Sequence, residues 1–315
     1  MGTVLQTVLM IVGFVLLIKG ADIFVDASVL IAKRLNIPNV VIGLTVVAMG
    51  TSVPEAVVSI SAALNGSNGL AIGNVVGSNI FNLLVVVGLC AFISPIAVRF
   101  RELARDYWIS VGAALLLLVM MLAFGSVIPR AGGFLLFAVF AAYITMMVLK
   151  ALKDRSPEDD ADKNMAAPKP IVKPVCLAVL GIALIVAGGD ITVKSAVNIA
   201  VTLGITERVI GLTVVAIGTS LPELVTSLVA CRKGENDIAI GNVVGSNIFN
   251  ILLVLGLSGI IIPLALDGSL IFDLVILTAS SLAFGLFAYT GKRIVRFEGF
   301  SMVMMYAAYM AFIIL

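Results

Sequence analysis

Gly73-Asn-Val-Val-Gly-Ser-Asn-Ile-Phe-Asn82 recurs without a single change as Gly241-Asn-Val-Val-Gly-Ser-Asn-Ile-Phe-Asn250. The same shift of 168 residues carries Gly43-Leu-Thr-Val-Val-Ala onto Gly211-Leu-Thr-Val-Val-Ala, and Gly50-Thr-Ser-Val-Pro-Glu onto Gly218-Thr-Ser-Leu-Pro-Glu. Between Val41–Asn82 and Val209–Asn250, thirty of forty-two positions are identical, so the chain is read as two copies of one unit. Both copies set Gly, Pro, Asn and a shared Glu inside otherwise apolar stretches, where such residues are costly.

The surrounding composition says what that apolar sequence is. The 315 residues are 61% hydrophobic and 12% charged, with a mean hydropathy of +1.19. Soluble domains are about half apolar and about a quarter charged. Apolar runs of roughly 18 residues or more recur throughout, each long enough to cross a hydrocarbon core of about 30 Å. A membrane β-barrel would show alternating apolar and polar residues, and this chain does not. The net charge of +2 decides nothing, since in a membrane protein placement matters more than the sum. With no histidine, the chain has no His-containing zinc site, Ser-His-Asp triad or His proton relay. Cys90, Cys176 and Cys231 lie far apart in sequence and read as small apolar packing residues. Residues 1–20 have neither a basic leader nor an Ala-x-Ala site, so no cleaved signal is expected.

Apolar runs between charge clusters and Gly/Pro breaks predict about ten spans, near 3–33, 38–64, 69–94, 106–124, 131–150, 174–200, 209–231, 237–262, 270–289 and 297–315. The repeat shift covers five of them. Because five is odd, the second copy crosses in the opposite sense to the first. The expected fold is therefore an all-α polytopic membrane protein of about ten transmembrane helices in two inverted-topology five-helix repeats, residues 1–150 and 174–315. Residues 151–173, polar and of mixed charge, form the expected cytoplasmic linker. Placing both termini outside puts sixteen of the twenty Lys and Arg residues in cytoplasmic loops, which sets the expected orientation.

Glu55 and Glu223 fall at equivalent points near the middle of the second and seventh spans. A charged side chain at that depth costs roughly 2.5–3.5 kcal/mol and marks an ion path, a relay or a partner. Two carboxylates meeting across a pseudo-twofold axis repel unless a cation lies between them. Pro54 and Pro222 lack an N–H, and Gly50 and Gly218 weaken the helix, so each span should break at Gly-Thr-Ser-x-Pro-Glu. The break turns free carbonyls and the hydroxyls of Thr51, Ser52, Thr219 and Ser220 toward a protein-lined cavity. On the third and eighth spans, Gly73, Gly77, Gly241 and Gly245 permit close helix approach. Asn74, Ser78, Asn79 and Asn82, with Asn242, Ser246, Asn247 and Asn250, bring further oxygens. Such a set suits hard cations, Ca2+ and Na+, over thiolate-seeking metals. Asp22 and Asp190 are also equivalent and read as structural, interfacial or gating residues. Asp26 and Lys194 are equivalent positions of opposite charge, so they break the symmetry and are not expected in the site.

Gly-Thr-Ser-x-Pro-Glu followed by Gly-Asn-x-x-Gly-Ser-Asn-Ile-Phe, present twice, resembles the α-repeats of the sodium/calcium exchanger family of cation/Ca2+ antiporters. The likeness covers essentially the whole chain and is greatest to compact prokaryotic members, which lack a large cytoplasmic Ca2+-sensing domain. It implies that Glu55 and Glu223 bind the transported Ca2+ with backbone carbonyls at Thr51 and Thr219. It implies Na+ sites at Ala48, Ser52 and Ser78 in one half and at Ala216, Thr219 and Ser246 in the other, with Ser220 beside them. It also implies that the first and sixth helices slide as a bundle. The last motif position, an Asp in several exchangers, is Asn250 here, matching Asn82. Two formal negative charges then remain, enough to neutralise one Ca2+ or two Na+, and K+ co-transport is not expected.

The expected activity is secondary antiport of Na+ against Ca2+ by alternating access, the alternative being H+/Ca2+ or other divalent antiport through protonation of the glutamates. No catalytic set is present, so no enzyme is expected. No cofactor is expected beyond the transported Ca2+ and Na+. The expected partners are those ions and the lipid bilayer of a prokaryotic cell membrane, with no nucleic acid and a monomeric assembly.

Overall fold

The computed structural model describes residues 3–124, 127–153, 171–204, 216–265, 270–291 and 293–314. The helices are α1 (Thr3–Leu35), α2 (Asn39–Thr51), α3 (Val53–Leu64), α4 (Asn68–Ile93), α5 (Phe100–Ala123), α6 (Arg130–Lys153) and α7 (Val172–Thr202). After them come α8 (Ala216–Thr219), α9 (Leu221–Arg232), α10 (Asn236–Ile261), α11 (Leu270–Gly291) and α12 (Arg296–Ile314). Among the described residues seven helices are long and apolar enough to cross a membrane, and the bent pair α2–α3 makes an eighth. The start of the expected 209–231 span and most of the 151–173 linker lie outside the described residues.

The two helices that carry the duplicated ten-residue string are the centre of the molecule. In α4 and α10, 78% of the most apolar window is buried inside the protein, against 33% in α1 and α7. Glycine makes the central packing possible. A Cβ at Gly245 would lie 2.6 Å from the Ala48 Cβ and 2.7 Å from the Leu44 carbonyl oxygen, and one at Gly241 would lie 2.8 Å from the Val40 carbonyl oxygen. The backbone of α10 thus rests on the backbone of α2 and on the small Ala48 side chain.

Helices α1 and α7 pair in the same way at the periphery. A Cβ on Gly20 would come within 2.9 Å of the Gly181 carbonyl oxygen, and one on Gly188 within 2.7 Å of the Gly13 carbonyl oxygen. Gly13 and Gly20 are the 168-residue counterparts of Gly181 and Gly188, so the two contacts exchange roles.

Two short antiparallel ladders stitch the halves together. Ile96–Ala97 (β1) pairs with Arg293–Ile294 (β4), and Val127–Ile128 (β2) pairs with Leu264–Ala265 (β3). Each joins a loop from the first half of the chain to one from the second.

Wide π turns occupy Gly43–Val47, Asn82–Val86 and Phe249–Leu255, within α2, α4 and α10. Nothing in the apolar pattern foretold them, because hydrophobic periodicity does not distinguish one extra residue in a buried turn.

Candidate cation site

The expected break in the second span is present. Helices α2 and α3 meet at 49° on either side of Ser52, whose φ of −82° and ψ of 7° leave the helical region. Ser220 does the same between α8 and α9, at φ −91° and ψ 5°. Pro54 and Pro222 fall in the first turn of the helix that follows, where a missing N–H costs no intrahelical bond. Glu55 and Glu223 sit one residue further on, in the same first turn, and both are fully buried.

From these two breaks the hydrogen bonds run across the molecule. Ser52 Oγ donates to Glu223 Oε1 at 3.0 Å, and Ser220 Oγ donates to Glu55 Oε1 at 3.1 Å. Thr51 Oγ1 donates to Asn242 Oδ1 at 3.0 Å, and Thr219 Oγ1 donates to Asn74 Oδ1 at 3.2 Å. Each hydroxyl of one half therefore serves an acceptor of the other. Within each half, Asn74 Nδ2 donates to Ser59 Oγ at 2.9 Å and to the Glu55 carbonyl at 3.4 Å. Asn242 Nδ2 reaches Ser227 Oγ at 3.0 Å and the Glu223 carbonyl at 3.4 Å.

These bonds bring Glu55, Glu223, Thr51, Thr219, Ser52 and Ser220 together, while Asn82 and Asn250 bond to Asn247 and Asn79 rather than to the glutamates. Glu55, Glu223, Thr51, Thr219, Ser52, Ser220, Asn82, Asn250, Ser78 and Ser246 are all buried. Ser246 Oγ donates to Glu223 Oε1 at 3.3 Å and lies 3.5 Å from the Ala48 carbonyl oxygen. Ser78 Oγ has no hydrogen-bond partner among the described residues, so the two serines differ in role. Ala216 opens α8, and its side chain is outside the described residues. Ser59 and Ser227 were not singled out beforehand. The signal was available, because both survive the 168-residue shift one turn beyond each Glu.

Charge and satisfaction together define what the site can hold. Neither glutamate makes an ion pair with Lys or Arg among the described residues. Glu55 Oε2, Glu223 Oε2, Asn82 Oδ1 and Asn250 Oδ1 are buried without a hydrogen-bond donor. Acceptor oxygens left without donors in a buried place are costly, and two carboxylates without a protein counter-charge are more so. A hard cation removes both costs at once, and carboxylate, amide and hydroxyl oxygens are the ligands such ions take.

A second charged cluster lies off this centre. Lys233 Nζ, just past the end of α9, sits 2.6 Å from Asp22 Oδ1 and 2.7 Å from Asp26 Oδ1 on α1, and donates to the Asp22 carbonyl at 3.0 Å. Asp190, the counterpart of Asp22, instead pairs with Lys194 on its own helix at 2.8 Å. Partial burial pulls the Lys233 ammonium down, but its bonds to Asp22 and Asp26 outweigh this and hold its pKa above the ordinary lysine value. A raised lysine pKa means the contribution is present below about pH 10 and fades as pH rises through the raised value. Lys233→Gln is expected to speed amide hydrogen exchange over the last third of α1 while leaving α4 unchanged. Equal exchange in variant and parent would show that the triad holds nothing in place.

Comparison with known proteins agrees with this geometry. The chain matches the family described as sodium/calcium exchanger protein over residues 5–149 and 173–315. It is 41% identical to the putative antiporter CaxA of Alkalimonas amylolytica, across 96% of this chain and 97% of that one. It is 37% identical to the sodium/calcium exchanger MaX1 of Methanosarcina acetivorans, across 96% of each. Among solved structures, the sodium-calcium exchanger NCX_Mj soaked with 2.5 mM Na+ and 10 mM Sr2+ superposes with a TM-score of 0.86 at 32% identity, covering 98% of this chain and 99% of that one. The fold and site define an integral membrane secondary transporter, not an enzyme. The chain belongs to the sodium/calcium exchanger family and is of its compact prokaryotic type, a cation/Ca2+ antiporter.

Proposed function

We propose that this protein exchanges Na+ for Ca2+ by alternating access at a central site built from Glu55 and Glu223. Thr51, Thr219, Ser52, Ser220, Ser78, Ser246, Asn82, Asn250, Ala48 and Ala216 surround them with further oxygens. The observation that carries this reading is the buried set of donorless oxygens on Glu55, Glu223, Asn82 and Asn250. Ten spans in two inverted repeats, 1–150 and 174–315, joined by the linker 151–173, would place one Glu from each repeat at the midplane. The exchanged hydrogen bonds between Ser52 and Glu223 and between Ser220 and Glu55 support that symmetry. The Lys and Arg distribution supports termini outside, and the bacterial and archaeal relatives support a prokaryotic cell membrane.

Na+ and Ca2+ compete for overlapping sets of oxygens, and a site emptied of both leaves two bare carboxylates in a buried place. The empty state is therefore disfavoured during reorientation, which couples the entry of one ion to the exit of the other. The same carboxylates could take protons when Ca2+ leaves, so the coupling ion is the decisive measurement. Purified protein in proteoliposomes is expected to take up Ca2+ when a Na+ gradient is imposed, with no further gain from K+. Uptake driven by a pH gradient and indifferent to Na+ would overturn this in favour of H+/Ca2+ antiport.

A further inference from the structure

Beside the glutamates, four asparagines form a closed circuit between α4 and α10. Asn79 Nδ2 donates to the Asn247 carbonyl at 3.2 Å, and Asn247 Nδ2 donates to the Asn79 carbonyl at 3.4 Å. Asn250 Nδ2 donates to Asn79 Oδ1 at 3.0 Å, and Asn82 Nδ2 donates to Asn247 Oδ1 at 3.3 Å. Asn79, Asn82 and Asn250 are 0% exposed and Asn247 is 1% exposed, so water does not compete for these bonds.

The circuit has only one consistent orientation. A backbone carbonyl can only accept, so the group that Asn79 presents to Asn247 must be its NH2. Its Oδ1 then faces the other way and can only accept, so Asn250 must present its own NH2 there. What remains of Asn250 is Oδ1, and this is the buried oxygen found without a donor. The same three steps from the Asn79 carbonyl through Asn247 fix Asn82 Oδ1. A flipped Asn82 or Asn250 would aim an amide NH2 where a cation is to bind.

We propose that Asn79 and Asn247 are positioning residues that lock the amides of Asn250 and Asn82 oxygen-inward, and so set the affinity of the central site for divalent cations. The proposal rests on the reading of that site as a cation site. Outer partners that orient metal ligands typically change metal affinity by about 10- to 100-fold when removed.

The test is Na+-driven Ca2+ uptake by the full chain in proteoliposomes, read as the half-saturating Ca2+ concentration and the maximal rate. Asn79→Ala is expected to raise half-saturation by about tenfold or more with little change in maximal rate, since it frees Asn250 to flip. Adding Asn79→Ala to Asn250→Ala should cost nothing further, because the first acts only through the second. Asn247→Ala, the equivalent change on the other side, should likewise raise half-saturation by freeing Asn82, and should add nothing to Asn82→Ala. This variant decides the matter if the Asn79→Ala protein does not fold: a tenfold rise that disappears on the Asn82→Ala background supports the lock, and unchanged half-saturation overturns it. The lock is equally overturned if Asn250→Ala weakens Ca2+ but Asn79→Ala does not, or if the two effects add in full. If Asn82→Ala and Asn250→Ala both leave half-saturation unchanged, the lock fails while the glutamate site stands; the cation-site reading itself fails only if Glu55→Gln and Glu223→Gln also transport Ca2+ as the parent does.

Discussion

Glu223→Gln, and equally Glu55→Gln, is expected to abolish Ca2+ transport in both directions while leaving a folded protein. Gln matches Glu in size and can still accept the Ser52 hydroxyl now bonded to Glu223 Oε1 at 3.0 Å, so the local frame survives. Two things change at the other end of the side chain. A donorless oxygen becomes an NH2 that repels a cation, and the pair of carboxylates that balances a divalent ion falls to one. Removing one member of a buried charge pair typically costs about 3–5 kcal/mol, which is a hundredfold or more in affinity. Glu55 and Glu223 each accept from the serine of the opposite break, and although only Glu223 also accepts from Ser246, each supplies one of the two carboxylates, so both variants should fail. Radiolabelled Ca2+ uptake against an imposed Na+ gradient, and its reverse, checks this. Robust Na+-driven flux through either variant would remove the glutamates from the site.

The second large effect belongs to two adjacent glycines with opposite expectations. At Gly188 a Cβ would lie 2.7 Å from both the Gly13 carbonyl oxygen and the Leu17 amide nitrogen, which are backbone atoms of α1. At Gly189 it would lie 3.7 Å from Pro222 Cγ and 3.9 Å from Leu17 Cδ2, ordinary packing distances. Gly188→Leu must push α1 and α7 apart along their length. Overpacking of this kind costs about 1–3 kcal/mol even where side chains can yield, and here the obstacle is backbone. Loss of transport and a lowered thermal midpoint in detergent are expected. Gly189→Ala should leave transport intact and gain stability by up to about 1 kcal/mol, as alanine favours the helix over glycine. If both variants behave alike, α1 and α7 are not in backbone contact.

The duplicated motifs carried much of this structure in plain view. Breaks beside Pro54 and Pro222, buried glutamates, close approach at Gly241 and Gly245, and crowding of Asn and Ser oxygens all follow from residue chemistry in an apolar setting. Who bonds to whom did not follow. That Ser52 serves Glu223 rather than its neighbour Glu55 depends on how the two breaks face each other, and sequence spacing within one copy holds no trace of the other. The lysine clasp was hidden for the same reason. Lys19 lies one turn before Asp22, yet the partner is Lys233, far away in the chain. Of the three cysteines read as packing residues, Cys90 and Cys231 are buried in the core, whereas Cys176 is exposed. The π turns needed one surplus residue per helix to be noticed, and in runs that are apolar on every side but for Asn82 and Asn250 a surplus residue leaves no mark.

That clasp has no mirror image. The counterpart of Lys233 is Asn65, and the counterpart of Asp26 is Lys194, so the second half lacks the charges to build the same grip at its own end. A carrier whose two ends were alike would spend equal time open to either side when no gradient acts on it. Among the described residues Lys233 ties the end of α9 to α1, whereas Asp190 and Lys194 at the equivalent place pair only within α7, so the two halves are not held alike. Were reorientation to part α1 from α9, the state that keeps the clasp would be favoured, and even the modest worth of an exposed ion pair, about 0.2–1 kcal/mol, would tilt the balance between the two postures.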